Sequence, residues 1–155
     1  MPKVAAMTHT FMQMALAEAA AAAARGEVPV GAVVVHAPSG RVLGRAGNRT
    51  EELYDPTAHA EVLAVRQACA AQGTTRLADC DLYVTLEPCT MCAAAISFAR
   101  VRRLYFGAYD PKGGGVEHGS RFFHQPTCHF VPEVYGGIEE TRASQMLRAF
   151  FRERR

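Results

Sequence analysis

Residues 81–99, DLYVTLEPCTMCAAAISFA, contain a predicted strand, a turn and the start of a helix in one short stretch. DLYVTLE (81–87) has the β-branched and aromatic content of a strand, and the small apolar run after Cys92 predicts a helix. Pro88 marks the turn between them. A strand that leads directly into a helix is the repeating unit of α/β folds, so this stretch sets the fold class.

The same alternation continues on both sides of this stretch. Apolar periodicity and Gly or Pro stops predict a helix over 11–24, strands at 28–38, 41–48, 102–109 and 130–137, and helices at 60–73 and 139–155. Strands alternating with helices predict one sheet with helices packed on both faces, in a single domain over residues 1–155.

Composition excludes several classes of protein. Hydrophobic residues make up 49% and charged residues 21%, which predicts a soluble globular chain without a membrane-spanning helix. The alanine-rich helix contains Gln13 and Glu18, which favour an ordinary first helix over a signal peptide. A net charge of +2 is too small to indicate nucleic-acid binding by itself. Five cysteines without disulfide-rich spacing predict a reducing compartment, the cytoplasm.

Two junctions of extended chain and helix carry residues that suit a metal site. His59 and Glu61 begin one helix, while Cys89 and Cys92 begin another. The two sulfurs share a helical face at i and i+3, and a helix N-terminus favours thiolates. His59 and Glu61, two residues apart, do not share a face, so we expect only His59 to bind the metal. Two thiolates and one imidazole suit zinc with an open fourth position, which leaves Glu61 for acid–base chemistry.

Two other interpretations of these residues remain open at this point. The pair in Cys89-Thr90-Met91-Cys92 also occurs in redox dithiols, although the Gly-Pro usual between such cysteines is absent. A structural zinc site is the second alternative. It requires a fourth protein ligand, for which the candidates are another histidine or one of Cys69, Cys80 and Cys128.

The combined pattern His59-Ala60-Glu61 followed by Pro88-Cys89-x-x-Cys92 resembles the signature of zinc-dependent nucleobase deaminases. Further stretches resemble the bacterial tRNA-specific adenosine deaminases over nearly the whole chain: EVPVGAVVVH (27–36), NR (48–49), DPTAHAE (55–61), LYVTLEPCTMCAAA (82–95), FGAYDPKGG (106–114) and FFRERR (150–155). The resemblance implies a cytidine-deaminase-like fold, with a mixed sheet of about five strands between layers of helices. It also implies a homodimer that converts the wobble adenosine of a tRNA anticodon to inosine.

The resemblance assigns roles to individual residues. One zinc ion per subunit is expected on His59, Cys89 and Cys92, with Glu61 as the proton shuttle during attack of water on C6 of adenine. The expected substrate-binding residues are Asn48, which hydrogen-bonds the base in the family, with Val28 and Glu27 lining the pocket, and Asp110, Lys112, Phe151 and Arg152 near the RNA.

The residues expected to contact RNA also have ordinary structural explanations. The C-terminal helix, with Phe150, Phe151, Arg152, Arg154 and Arg155, suits base stacking and phosphate contacts, but its phenylalanines can equally pack on the core. Asp110-Pro111 is also a common turn. The segment 125–127 carries Gln-Pro-Thr where better-known family members carry His-Pro-Gly. The apolar helix at 93–98 is either core or a dimer interface.

Two alternatives to tRNA deamination follow from these observations. The zinc-site pattern is shared with deaminases of free bases, nucleosides and nucleotides, such as those acting on guanine, cytosine or deoxycytidylate. A zinc-stabilised RNA-binding module without catalysis is the third interpretation, and it gives Glu61 no role.

Overall fold

The computed structural model describes the backbone of residues 2–154 and the side chains of residues 7–154. In this part of the chain the elements follow the order α1 (Pro2–Ala24), β1 (Gly31–His36), β2 (Arg41–Gly47), α2 (Ala60–Gln72), β3 (Cys80–Leu86), α3 (Thr90–Ala99), β4 (Arg103–Ala108), a short 3-10 helix (Phe122–His124), β5 (Glu133–Tyr135) and α4 (Glu140–Glu153). None of these helices is long and apolar enough to cross a membrane.

The strands form one mixed sheet in the order β2-β1-β3-β4-β5. β1 runs antiparallel to both of its neighbours, whereas β3, β4 and β5 pair in parallel. Consequently β2, β3 and β4 all point in the same direction, and their carboxyl ends lie at the same edge of the sheet. The loops that follow these three strands therefore meet at that edge, which is where open α/β sheets usually bind ligands.

Helices cover both faces of the sheet, as predicted. On one face the alanines of α2 and the Ala93–Ala99 part of α3 pack on Ala32, Val34, Leu82 and Phe106. On the other face α1 and α4 pack on Val33, Val35, Tyr83 and Tyr105. The side chains of successive strand residues alternate between the two clusters, as the pleat of a strand requires. The predicted α/β fold with a five-stranded sheet is confirmed.

Close approach of α1 to the sheet depends on a glycine in β1. A Cβ atom at Gly31 would overlap the carbonyl oxygen of Ala15, so only glycine allows this packing. α1 begins at Pro2 rather than at the predicted Phe11. β5 contains three residues rather than the predicted eight, and the last helix is described as far as Glu153.

Candidate metal centre and base pocket

Two helix N-termini bring the predicted zinc ligands together. His59 is the N-cap residue of α2 and Cys89 is the N-cap residue of α3, each with extended backbone angles. Neither side chain caps its own helix. Instead, the Nδ1 atom of His59 lies 3.6 Å from the Sγ atom of Cys89 and 3.4 Å from the Sγ atom of Cys92.

These distances fit one tetrahedral ion. With Zn–S bonds of about 2.3 Å and Zn–N bonds of about 2.0–2.1 Å, tetrahedral S and N ligands lie about 3.6 Å apart. In the described part of the chain, the metal-binding cluster contains these three side chains, all within 4.8 Å of one another. Two sulfurs and one imidazole nitrogen form a donor set that suits zinc and leaves a fourth position for a water molecule or substrate.

The three cysteines considered as alternative ligands lie elsewhere. The Sγ atom of Cys128 contacts the Ser97 hydroxyl group at 3.5 Å and donates to the Phe130 carbonyl group. Cys80 is buried beside Asp79, and Cys69 packs against the core. The geometry therefore favours an open site over a structural site closed by a third cysteine as the fourth ligand.

The thiols of the cluster differ in acidity. The hydrogen bond from Cys92, together with the His59 imidazole, outweighs burial and lowers the pKa of Cys89 to about 4. The hydrogen bond to Cys89 and burial both raise the pKa of Cys92. The hydrogen bond with Cys89 raises the pKa of His59 despite burial. The two thiols are hydrogen-bonded to each other, so they act as one acidic pair, and metal binding releases the protons that the pair still carries.

Glu61 occupies the second position of α2, beside the cluster. Its side chain is only 4% exposed, and burial raises its pKa to about 6. A buried carboxyl group whose pKa lies near neutrality is suited to accept and return a proton. The predicted division of labour, with His59 as ligand and Glu61 as acid and base, is consistent with this arrangement.

Asn48 connects the end of β2 to the metal cluster. Its Oδ1 atom accepts a hydrogen bond of 2.8 Å from the backbone N–H of Ala60, the residue between His59 and Glu61. This bond uses the side-chain oxygen and leaves the amide nitrogen able to donate to a substrate. Asn48 therefore orients the first turn of α2, while its contact with a base stays a prediction.

Glu27 and Val28, which are predicted to line the base pocket, have different surroundings. Glu27 is buried, and its carboxylate accepts hydrogen bonds from the backbone N–H groups of Glu51 and Glu52 and from the Thr50 hydroxyl group. Glu27 therefore anchors the 50–52 loop. Val28 is partly buried against the core.

The residues predicted to contact RNA lie at the surface. Phe150 is buried, which fits core packing, whereas Phe151 is 49% exposed, which fits base stacking. Each of the two interpretations of the helix therefore fits one of its phenylalanines. Arg152 and Lys112 are exposed, whereas the guanidinium group of Arg154 covers the Phe150 ring at 3.5 Å. Arg155 lies outside the described residues.

Asp110 forms a turn, which is the structural alternative to the predicted RNA contact. Its Oδ1 atom accepts hydrogen bonds from the backbone N–H groups of Lys112 and Gly113. The turn presents Lys112 to solvent. In the segment with the unusual Gln-Pro-Thr sequence, Gln125 donates a hydrogen bond to the Ser120 carbonyl group, and Thr127 is exposed.

One residue that shapes the site had no predicted role. Glu87, between β3 and Pro88, is buried, and its carboxylate accepts hydrogen bonds from the backbone N–H groups of Asp110, Val116, Glu117 and His118. The Nδ1 atom of the His118 ring also lies 2.8 Å from the Glu87 carboxylate. The sequence feature that could have indicated this role is a glutamate at the end of an apolar strand, because a buried charge needs hydrogen-bond partners.

Comparison with known proteins agrees with this geometry. Residues 6–108 match the family model of the cytidine and deoxycytidylate deaminase zinc-binding region. A tRNA-specific adenosine deaminase of Agrobacterium fabrum is 62% identical over 152 residues, which cover 98% of each chain.

Solved structures give the same result. A structure from work on A-to-I editing by tRNA:A34 deaminases at the wobble position has a TM-score of 0.86 and 62% identity, covering 89% of this chain and 99% of the other. A guanine deaminase of Bacillus subtilis is more distant, with a TM-score of 0.63 and 32% identity over 81% of this chain and 82% of its own. The chain therefore belongs to the zinc-dependent cytidine and deoxycytidylate deaminase family and, within it, to the tRNA-specific adenosine deaminases.

Proposed function

We propose that this protein converts the wobble adenosine of a tRNA anticodon to inosine by hydrolytic deamination and releases ammonia. The observation that carries the proposal is the three-ligand cluster of His59, Cys89 and Cys92 with the buried Glu61 beside it. The 62% identity to a tRNA-specific adenosine deaminase supports the choice of substrate. We further propose that residues 1–155 act as one catalytic domain, since a single sheet organises the described residues.

The chemistry divides between the metal and the chain. A zinc ion held by these three ligands supplies the Lewis acidity that lowers the pKa of water toward 7. The carboxylate of Glu61 takes one proton from the attacking water and passes it to the ring nitrogen beside C6. It then takes the second proton from the oxygen now bonded to C6 and passes it to the amino group, which leaves as ammonia when the C6–N bond breaks. Water is consumed and ammonia is released, so Glu61 ends the cycle in its starting state.

Residues around the cluster position the substrate in this proposal. The Asn48 amide nitrogen donates to the base while its oxygen remains bonded to the Ala60 N–H. Val28 lines the pocket, and Glu27 contributes by fixing the 50–52 loop. Phe151 offers a ring for stacking, and Arg152 and Lys112 offer charges for phosphates.

The experiment that tests this mechanism is the substitution Glu61→Gln in zinc-loaded protein, assayed by inosine formation on an anticodon stem-loop. Loss of a positioned acid and base lowers kcat by about 10² to 10⁴. Metal analysis should still find one zinc per chain, because Glu61 is not a ligand. Activity within tenfold of the wild type, or loss of zinc together with activity, would contradict the assigned role.

We propose that a second copy of the chain covers the exposed face of α3. Met91, Ala94, Ala95 and Phe98 share one face at helical spacing, while the opposite face packs on the sheet. Phe98 is 74% exposed, which is unusual for a phenylalanine on a well-ordered helix. The small alanines allow a partner helix to approach closely, and a self-complementary patch fits a twofold dimer.

Sedimentation velocity tests the homodimer. The wild type is expected to sediment as a dimer and Phe98→Asp as a monomer. Met7→Asp, on the opposite layer of the fold, is the control and should leave the dimer intact. A monomeric wild type, or a dimer that survives Phe98→Asp, would exclude this interface.

The cytoplasm is the proposed site of action. All five cysteines are unpaired in the described structure, which supports a reducing compartment.

A further inference from the structure

A groove of about 290 Å³ crosses the edge strand β2, between the C-terminal half of α1 and the outer side of α2. It lies apart from the C-terminal helix and from the Lys112 turn. Four arginines and one glutamate line the groove. Glu18 lies on α1 and Arg25 just after it, Arg45 lies on β2 and Arg49 just after it, and Arg66 lies on α2. The groove therefore draws side chains from both helical layers and from the strand between them.

The charge of this groove is only partly balanced. Arg45 and Glu18 are 3.8 Å apart, near the limit of an ion pair, and Arg49 pairs with Glu52 at 2.9 Å. Within residues 7–154, no carboxylate lies at salt-bridge distance from Arg25 or Arg66. Glu27 and Asp55 interact electrostatically with Arg25 and Arg66, respectively, over longer distances, so the guanidinium groups of these two arginines form no close ion pair in this part of the chain.

One end of the groove adjoins Asn48, the residue predicted to hydrogen-bond the base. The Nη2 atom of Arg25 donates a hydrogen bond of 3.1 Å to the carbonyl oxygen of Asn48, and Arg49 is the next residue. The Asn48 side chain in turn holds the Ala60 N–H beside the metal cluster. Arg66 lies five residues beyond Glu61 on α2, a rise of about 7.5 Å along the helix. The groove therefore reaches from the end of β2 beside Asn48 along the outer side of α2.

We propose that this basic groove binds phosphate groups of the RNA strand that flanks the target adenosine. Guanidinium groups form paired hydrogen bonds with phosphate oxygens, and arginines from several directions can follow a backbone without reading its sequence. This inference rests on the proposed RNA substrate. The competing explanation is that arginines on an edge strand prevent pairing between sheets of two molecules.

The test compares two charge-matched double variants. Arg45→Gln/Arg66→Gln removes two groove arginines that touch no catalytic residue. Arg41→Gln/Arg76→Gln removes two exposed arginines outside the groove, one of them on the same edge strand. Fluorescence anisotropy over a series of salt concentrations measures the binding of an anticodon stem-loop and of a short oligouridylate, and thermal melting checks that each variant is folded.

The groove variant is expected to bind both RNAs at least tenfold more weakly at low salt, with kcat at saturating stem-loop within twofold of the wild type. Its slope of log Kd against log salt should fall by about 1.4, since each phosphate contact on single-stranded nucleic acid contributes about 0.7. The control variant should match the wild type.

Equal affinity and slope in the two double variants would overturn the proposal and leave general electrostatics or edge protection as the role of these arginines. Weaker oligouridylate binding by the groove variant, with no deamination of the stem-loop by the wild type, would support the groove and reject the proposed substrate. Failure of the wild type to bind either RNA would overturn both.

Discussion

Glu87 provides the most demanding test of how the chain builds the site, because one buried carboxylate holds the whole 110–118 loop. Its Oε2 atom accepts hydrogen bonds from the N–H groups of Val116, Glu117 and His118 at 3.2, 2.9 and 3.1 Å. Its Oε1 atom accepts one from the Asp110 N–H at 3.0 Å and faces the Nδ1 atom of His118 at 2.8 Å. We predict that Glu87→Gln strongly destabilises the fold.

The magnitude follows from the hydrogen bonds that glutamine cannot make. In its better orientation, the amide oxygen keeps the three N–H groups at Oε2, and the new NH₂ group faces the Asp110 N–H. An unsatisfied buried N–H costs about 1–3 kcal/mol, and hydrogen bonds to a neutral acceptor are about 1 kcal/mol weaker than those to a carboxylate. Allowing for non-additivity, the free energy of unfolding should fall by about 3–5 kcal/mol, out of the 5–15 kcal/mol typical of a domain.

Urea unfolding at pH 7 measures this loss. Glu117→Gln is the matched control, since Glu117 lies in the same loop and its side chain is exposed. Burial alone would raise the pKa of Glu87, but the hydrogen bonds from Asp110, His118 and the neighbouring N–H groups outweigh it and lower the pKa below 4.5. The stabilisation is therefore complete above pH 4.5 and disappears as the pH falls through the lowered native pKa. A loss below about 1 kcal/mol, or an equal loss in the control, would refute the assigned role.

Three further predictions concern the metal site and its supports. Asn48→Ala should lower the free energy of unfolding by about 0.5–2 kcal/mol, because the Ala60 N–H loses its acceptor, and should also raise KM. Asn48→Asp should restore the stability but not KM. Urea unfolding and steady-state kinetics of both variants measure the two effects. Gly115→Ala would place a Cβ atom 2.5 Å from the backbone nitrogen of Thr90, the first residue of α3 after Cys89, so metal analysis should find less than one zinc per chain. Gly113→Ala is the control: its Cβ would lie 3.1 Å from the Asp110 side chain, and the variant should keep the full amount of zinc. Removal of zinc by a chelator should lower Tm, and zinc but not magnesium should restore it, because thiolates favour the softer ion.

The elements and ligands that the sequence predicts are those with a local cause. The β-branched run that contains β1 expresses a preference of a few neighbouring residues, and this strand is confirmed. The spacing of Cys89 and Cys92 is equally local, and the structure brings both sulfurs close to the His59 imidazole, while their role as zinc ligands stays a prediction. The choice of a mixed five-stranded sheet came instead from the family resemblance, which the comparisons confirm.

Features that depend on tertiary contacts could not be predicted. Glu87 and Glu27 each bind loops that are at least 23 residues away along the chain, so no local pattern reveals their partners. The basic groove likewise combines arginines from β2, from α2 and from the loops after α1 and β2, which are scattered in the sequence. β5 is shorter than its apolar run because only three of its residues pair with β4.

The central claim is that the His59, Cys89 and Cys92 cluster with Glu61 serves deamination of tRNA. It is tested most directly by incubating zinc-loaded wild-type protein separately with an anticodon stem-loop carrying wobble adenosine, with adenine, with guanine and with cytidine, and measuring inosine and ammonia. The account predicts inosine in the stem-loop and no ammonia from the three small molecules. Ammonia from a free base or nucleoside, with the stem-loop unchanged, would contradict it and identify a small-molecule deaminase.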